Sequence, residues 1–96
     1  MRVQVRWLRR ALANLDDEAA YIAREDPEAA RLVVGRILAA VEALGSHPAM
    51  GRPGRVPGTR ELVVCRTRFV IPYRVRGDAV EVLRVFHSSR DLPEQW

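Results

Sequence analysis

Arg68-Phe69-Val70-Ile71-Pro72-Tyr73-Arg74-Val75-Arg76-Gly77-Asp78-Ala79-Val80-Glu81-Val82-Leu83-Arg84-Val85-Phe86-His87 is the stretch on which the fold turns. Two valine-rich runs flank Gly77-Asp78, a two-residue hairpin signal. A two-residue turn fixes a register in which Arg76 opposes Ala79, Arg74 opposes Glu81, Tyr73 opposes Val82 and Arg68 opposes His87. Period two then puts Phe69, Ile71, Tyr73, Val75, Val80, Val82 and Phe86 on one face, with Arg84 as the exception. The other face carries Arg68, Val70, Pro72, Arg74 and Arg76 beside Glu81, Leu83, Val85 and His87. The first face reads as the core. The second has an apolar centre of Val70, Leu83 and Val85 ringed by Arg68, Arg74 and His87, and a surface of that kind fits a partner. A slip of one residue would exchange the two sets.

Working outward, residues 60–66 form a further strand pattern before the hairpin. Residues 45–58 are rich in glycine and proline and read as an ordered loop carrying Arg52 and Arg55. Upstream lie two helical stripes. Leu8, Leu12, Leu15, Ala19 and Ile22 make the first, which has no good N-cap. Ala30, Val34, Ile37, Val41 and Leu44, widened by Val33 and Leu38, make the second. Asp26-Pro27-Glu28 caps and restarts the helix, Gly45 and Pro48 end it, and so short a connection predicts an antiparallel hairpin. Residues 2–7 alternate as a short strand. The expected fold is α+β: an N-terminal strand, then a two-helix hairpin packed on one face of a three- to four-stranded antiparallel sheet.

The chain has 96 residues, enough for one domain spanning 1–96 and one modest core. Hydrophobic residues at 48% make it too apolar for a disordered chain. No apolar run approaches the roughly 20 residues that cross a bilayer, and the alternating N-terminus lacks the apolar run of a secretory signal. Cys65 is alone, and His47 and His87 lie far apart, so neither a disulfide nor a zinc site is expected. A cytoplasmic protein without metal, cofactor or membrane contact is the expectation. All sixteen basic residues are arginine, and the net charge is +4. Guanidinium forks pair carboxylates and phosphates in bidentate fashion, so an acidic partner fits this surface.

The stretch Pro48 to His87 resembles the RelE/ParE superfamily of toxins from type II toxin–antitoxin modules. Gly51-Arg52-Pro53-Gly54-Arg55-Val56-Pro57-Gly58-Thr59-Arg60-Glu61-Leu62-Val63-Val64 carries the likeness, with Val70-Ile71-Pro72-Tyr73-Arg74-Val75, Val80-Glu81-Val82-Leu83-Arg84-Val85 and His87. The N-terminal half agrees through its early Trp7, Tyr21-Ile22-Ala23, Pro27 and the helix from Arg36 to Leu44. The resemblance implies a helical hairpin on an antiparallel sheet and a cognate antitoxin that wraps the toxin and silences it. It also implies one of two activities. RelE-type members resemble ribosome-dependent mRNA endoribonucleases, whereas ParE-type members poison DNA gyrase.

Metal-free RNA cleavage needs a base, cations around the phosphorane and an acid. The groups available are Glu61, Arg60, Arg68, Tyr73, Arg84, His87 and Arg90. Each has a plainer reading. Arg74 and Glu81 suit a cross-strand ion pair, Glu61 a solvated edge charge, Tyr73 a core aromatic with its hydroxyl satisfied, His87 a structural strand end, and Cys65 a small strand hydrophobe. His47 has no evident role. Nuclease members usually carry an arginine where this chain has Val70, and some place a glutamate at the position of Met50. The lysine pair of others is reduced to Arg60, with Leu62 at the second position. These departures favour the ParE branch: a gyrase poison neutralised by its antitoxin and reaching operator DNA only through it. The expected antitoxin-binding residues are Arg68, Val70, Arg74, Leu83 and Val85, and the expected target-binding residues are Arg52, Arg55, Arg90 and Trp96. If the chain is RelE-like instead, His87, Glu61 and Arg60 carry the chemistry, with ribosome and mRNA as partners. A plain nucleic-acid-binding module is disfavoured, since the strands offer no aromatic stacking platform.

Overall fold

The computed structural model describes residues 2–89. Arg90 and Trp96, two of the expected target contacts, lie outside them. Strand β1 (Gln4–Trp7) leads into α1 (Arg9–Ala23) and α2 (Pro27–Ala43). Strands β2 (Arg52–Pro53), β3 (Arg60–Val63), β4 (Phe69–Arg76), β5 (Ala79–Val82) and β6 (Phe86–His87) follow. The break between the helices is the one the residues dictate: the Asp26 side chain accepts from the Ala29 N–H at 3.1 Å, and Pro27 opens α2.

The sheet runs β1-β5-β4-β3-β2, with β6 also beside β4. It is mixed and not purely antiparallel, because β1 pairs parallel to β5, Gln4 beside Ala79 and Trp7 beside Val82. The short β2, read in the sequence as loop, pairs Arg52 with Glu61. The β4–β5 hairpin has the expected register, Arg76 beside Ala79 and Tyr73 beside Val82, with Gly77 at φ +61° in the turn.

Beyond Val82 the register changes. The Leu83 N–H still donates to the Pro72 carbonyl at 2.9 Å, but Phe69 then faces His87 and Val70 faces Phe86. Arg84 and Val85 together stand opposite Ile71, which defines a β-bulge. Asn14 on α1 holds it: its Oδ1 accepts from the Val85 N–H at 3.2 Å and from Arg84 Nε at 2.9 Å. The extra residue turns the end of the strand over. Val85 enters the core with Ile71, Tyr73, Val80 and Val82, while Phe86 crosses to the side of Val70.

The second face is therefore not the open apolar surface expected of it. Val70 is 3% exposed and Val85 2%. Val70 is flanked across the ladders by Val63 and Phe86, and His87 sits with Phe69 on the core side. Leu83 is half-buried, and of the residues expected in the core Val75 is exposed. On the helices, Ala11 and Leu15 carry the buried face of α1, whereas Leu12 and Leu38, both placed by the stripes in the core, are exposed, as is Leu32.

Replacing Asn14 with alanine orphans the Val85 N–H and is expected to cost about 1–2 kcal/mol. Thermal melting should show this as a drop of roughly 4–16 °C. A melting temperature within a degree of the wild type would refute the assigned role of Asn14.

Candidate functional site

The loop from Pro48 to Gly58 is clamped from two faces of the β3–β4 pair. Tyr73, wholly buried, accepts from the Gly51 N–H at 2.8 Å and donates to the Pro48 carbonyl at 2.8 Å. This is the core aromatic with a satisfied hydroxyl that the sequence suggested. Gly51 is required by that approach, since a Cβ there would lie 2.7 Å from the Tyr73 ring and 2.9 Å from the Glu61 carbonyl oxygen. Arg60, cross-strand from Tyr73, donates to the Gly51 carbonyl at 2.7 Å and the Ala49 carbonyl at 3.3 Å.

Glu61 works from the other face. It is 2% exposed and is no solvated edge charge. Its Oε1 accepts from Arg52 Nη2 at 3.1 Å and Nε at 3.3 Å, and its Oε2 accepts from the Arg55 N–H at 3.0 Å, with Arg55 Nε 3.7 Å away. A buried carboxylate is tolerated when charge and hydrogen bonds surround it, and the Gly-Arg-Pro-Gly-Arg loop supplies both. Arg52 and Arg55, two expected target contacts, are thus fixed at the rim with half and one-third of their side-chain surface exposed.

His87 belongs to a different place. Its ring stands edge-on to Phe69 at 5.4 Å between centroids, and its Nδ1 accepts from the Ser89 N–H at 3.2 Å. With Tyr21, Ile22, Val33, Thr67, Arg68 and Phe69 it lines a cleft of ≈ 420 Å³ against the helices. Glu61 is paired with Pro72 on the opposite face, about 10 Å further along β4, and Arg60 is paired with Tyr73, about 13 Å along. General acid–base partners must lie within hydrogen-bond reach of one reacting group. The three residues named for RNA cleavage are thus not brought together.

Arg74 and Glu81 form the expected cross-strand pair, Nε to Oε1 at 2.6 Å. The Arg74 hydrogen bond holds the Glu81 carboxyl below its ordinary value, aided by the charges of Arg74, Arg76 and Arg6 and opposed by burial. Cys65 is exposed beyond the end of β3 and is not a strand residue.

A helical hairpin on a small mixed sheet, with an arginine-bearing loop tied to its third strand, is the arrangement that the resemblance to RelE/ParE toxins implies. Residues 5–92 match the family model described as ParE toxin of type II toxin-antitoxin system, parDE. The chain is 50% identical over 93 residues to the protein Y4kP of Sinorhizobium fredii, covering 97% of this chain and 96% of that one. It is 37% identical over 87 residues to toxin RelE2 of Caulobacter vibrioides, covering 91% and 97%. A chain in the structure of the chromosomal ParDE TA system from P. aeruginosa superposes with a TM-score of 0.80 at 34% identity, over 90% of this chain and 96% of that one. The chain belongs to the ParE toxin family of type II toxin–antitoxin systems.

Sequence reasoning missed Glu61 as the anchor of the loop. The available signal was Arg52, Arg55 and Glu61 within ten positions, all compatible with one turn. Glu61→Ala removes the buried acceptor of the Arg55 N–H and the Arg52 guanidinium and is expected to destabilise by about 2 kcal/mol in urea unfolding. Glu61→Gln, which keeps an acceptor, should lose about half of that. Equal losses would show that the carboxamide cannot stand in for the carboxylate.

Because folding lowers the Glu81 pKa, its stabilising contribution is present at neutral pH and is lost as pH falls through and below its ordinary value of 4.5. The stability gap between wild type and Glu81→Gln should therefore close in acid. A gap independent of pH would exclude the charge as its cause.

Proposed function

We propose that this toxin arrests growth by poisoning DNA gyrase in the cytoplasm and is held silent by a cognate antitoxin. The observation that carries the reading is the dispersal of the groups RNA cleavage would need. Glu61 is engaged by Arg52 and Arg55, Arg60 holds loop carbonyls, and His87 lies on the far side of the sheet from Glu61. Removing one transition-state donor costs about 2.7–4 kcal/mol, so a centre lacking several has little to work with. The match to the ParE family model and the likeness to a chain of a ParDE system support the same branch.

On this reading the protein acts by binding and not by catalysis. Arg52 and Arg55, held outward by Glu61, are the described residues proposed to meet the target. Of the antitoxin contacts expected from the sequence, Arg68, Arg74 and Leu83 remain within reach of a partner, whereas Val70 and Val85 are buried. Exposed Leu12, Leu32 and Leu38 add apolar surface on the helices that suits a second polypeptide.

The test is a gyrase supercoiling assay with purified, folded toxin, in parallel with primer extension on translated mRNA. Blocked supercoiling with accumulation of cleaved DNA is expected, together with intact mRNA. Cutting of ribosome-bound mRNA while gyrase runs unhindered would overturn the proposal in favour of a RelE-type ribonuclease.

A further inference from the structure

Where α1 begins, three arginines from distant parts of the chain line one cleft of ≈ 460 Å³: Arg10 on α1, Arg74 on β4 and Arg84 in the bulge. Leu8, Leu83 and the Val56–Thr59 turn complete the lining, and no carboxylate is part of it. Arg74 is partly answered by Glu81 from the side. Arg10 and Arg84 have no ion pair among the described residues. Arg84 cannot swing away, since Asn14 holds its Nε at 2.9 Å and its guanidinium lies 4.7 Å over the Phe86 ring. Burial and the neighbouring Arg10 charge both lower the Arg84 pKa, as expected of cations gathered without a counter-charge. The end of α1 adds to the same field, for Leu8 provides no side-chain cap and no acid lies in the first turn.

Such a cluster costs the free toxin stability and is relieved when an anion arrives. We infer that Arg10, Arg74 and Arg84 form a receptor for a carboxylate flanked by apolar side chains on the antitoxin segment that neutralises this toxin. The inference rests on the antitoxin reading above and adds the place and chemistry of a contact. The walls favour a peptide: Leu8, Val56, Pro57 and Leu83 offer apolar contact on either side of the cations. Single-stranded nucleic acid would need an open aromatic plate, and the nearby Phe86 is 5% exposed.

The experiment titrates the polypeptide encoded by the adjacent reading frame into wild-type toxin, Arg10→Gln, Arg84→Gln and the distant control Arg24→Gln. Circular dichroism checks that each is folded. Arg10 is exposed and makes no side-chain hydrogen bond or ion pair among the described residues, so Arg10→Gln keeps the test valid if Arg84→Gln misfolds. Each cleft variant is expected to bind roughly tenfold more weakly, with a shallower dependence on salt, and the control to bind like wild type. Unchanged affinity in folded Arg10→Gln would overturn the receptor while leaving the antitoxin reading intact. No binding by the wild type would overturn that reading and the receptor with it. A labelled oligonucleotide serves as the second probe. Loss of its binding in Arg10→Gln, with antitoxin affinity unchanged, would reassign the cleft to phosphate and reject the carboxylate.

Discussion

The bulge at Arg84 and Val85 decides what each surface of this protein is made of. One surplus residue between Leu83 and Phe86, held by the Asn14 carboxamide, turns the last strand over. Val85 is driven inward, Phe86 closes the far side of Val70, and His87 is laid against Phe69. An unpaired N–H at a bulge is costly unless something answers it, and the answer comes from a helix 71 positions earlier in the chain. Helical hairpin and sheet are thereby tied by more than apolar contact. The same tie fixes Arg84 in the cleft it shares with Arg10 and Arg74.

Much of the architecture was legible because local signals agreed. Asp26-Pro27 has one plausible use, and Gly77-Asp78 between valine runs has one plausible turn. The face assignment near that turn holds for Tyr73, Val80 and Val82, because register propagates reliably over a few residues. It fails at Phe86 and His87, where period two is broken by a residue whose only stabilising partner is remote in sequence. Arg84 was the single misfit in the alternation. That residue lies at the bulge, where one extra residue shifts the alternation. The parallel edge strand was equally hidden, since Gln4 and Ala79 meet only when the whole sheet is assembled.

The site was harder to read for a related reason. Glu61 is an isolated acid in a strand, which by composition alone reads as solvent-facing. Its burial depends on Arg52 and Arg55 folding back across β3, and those arginines return only because Pro48 and Gly51 are caught by Tyr73. Loop, tyrosine and glutamate therefore form one cooperative unit with polar groups satisfied on both sides of the sheet. Of its members, Tyr73 keeps the role its sequence suggested, a core aromatic with its hydroxyl satisfied, whereas Glu61 is the buried anchor and not a solvated edge charge.

That unit also bears on how one fold can serve two chemistries. A metal-free nuclease needs its base, acid and cations within a few ångströms of one phosphate. In this chain the acid is spent on holding a loop, the histidine lies across the sheet, and Val70 and Val63 occupy the face between them. What the scaffold does supply is rigid placement of arginines at rims: Arg52 and Arg55 on one loop, Arg10, Arg74 and Arg84 in one cleft. Arg10 and Arg84 have no ion pair among the described residues, and cations fixed in this way suit recognition of an acidic surface, since binding gains from charge complementarity without any proton transfer. The chain's exclusive use of arginine fits that division, because a guanidinium keeps its charge and its fork even where partial burial would neutralise a lysine.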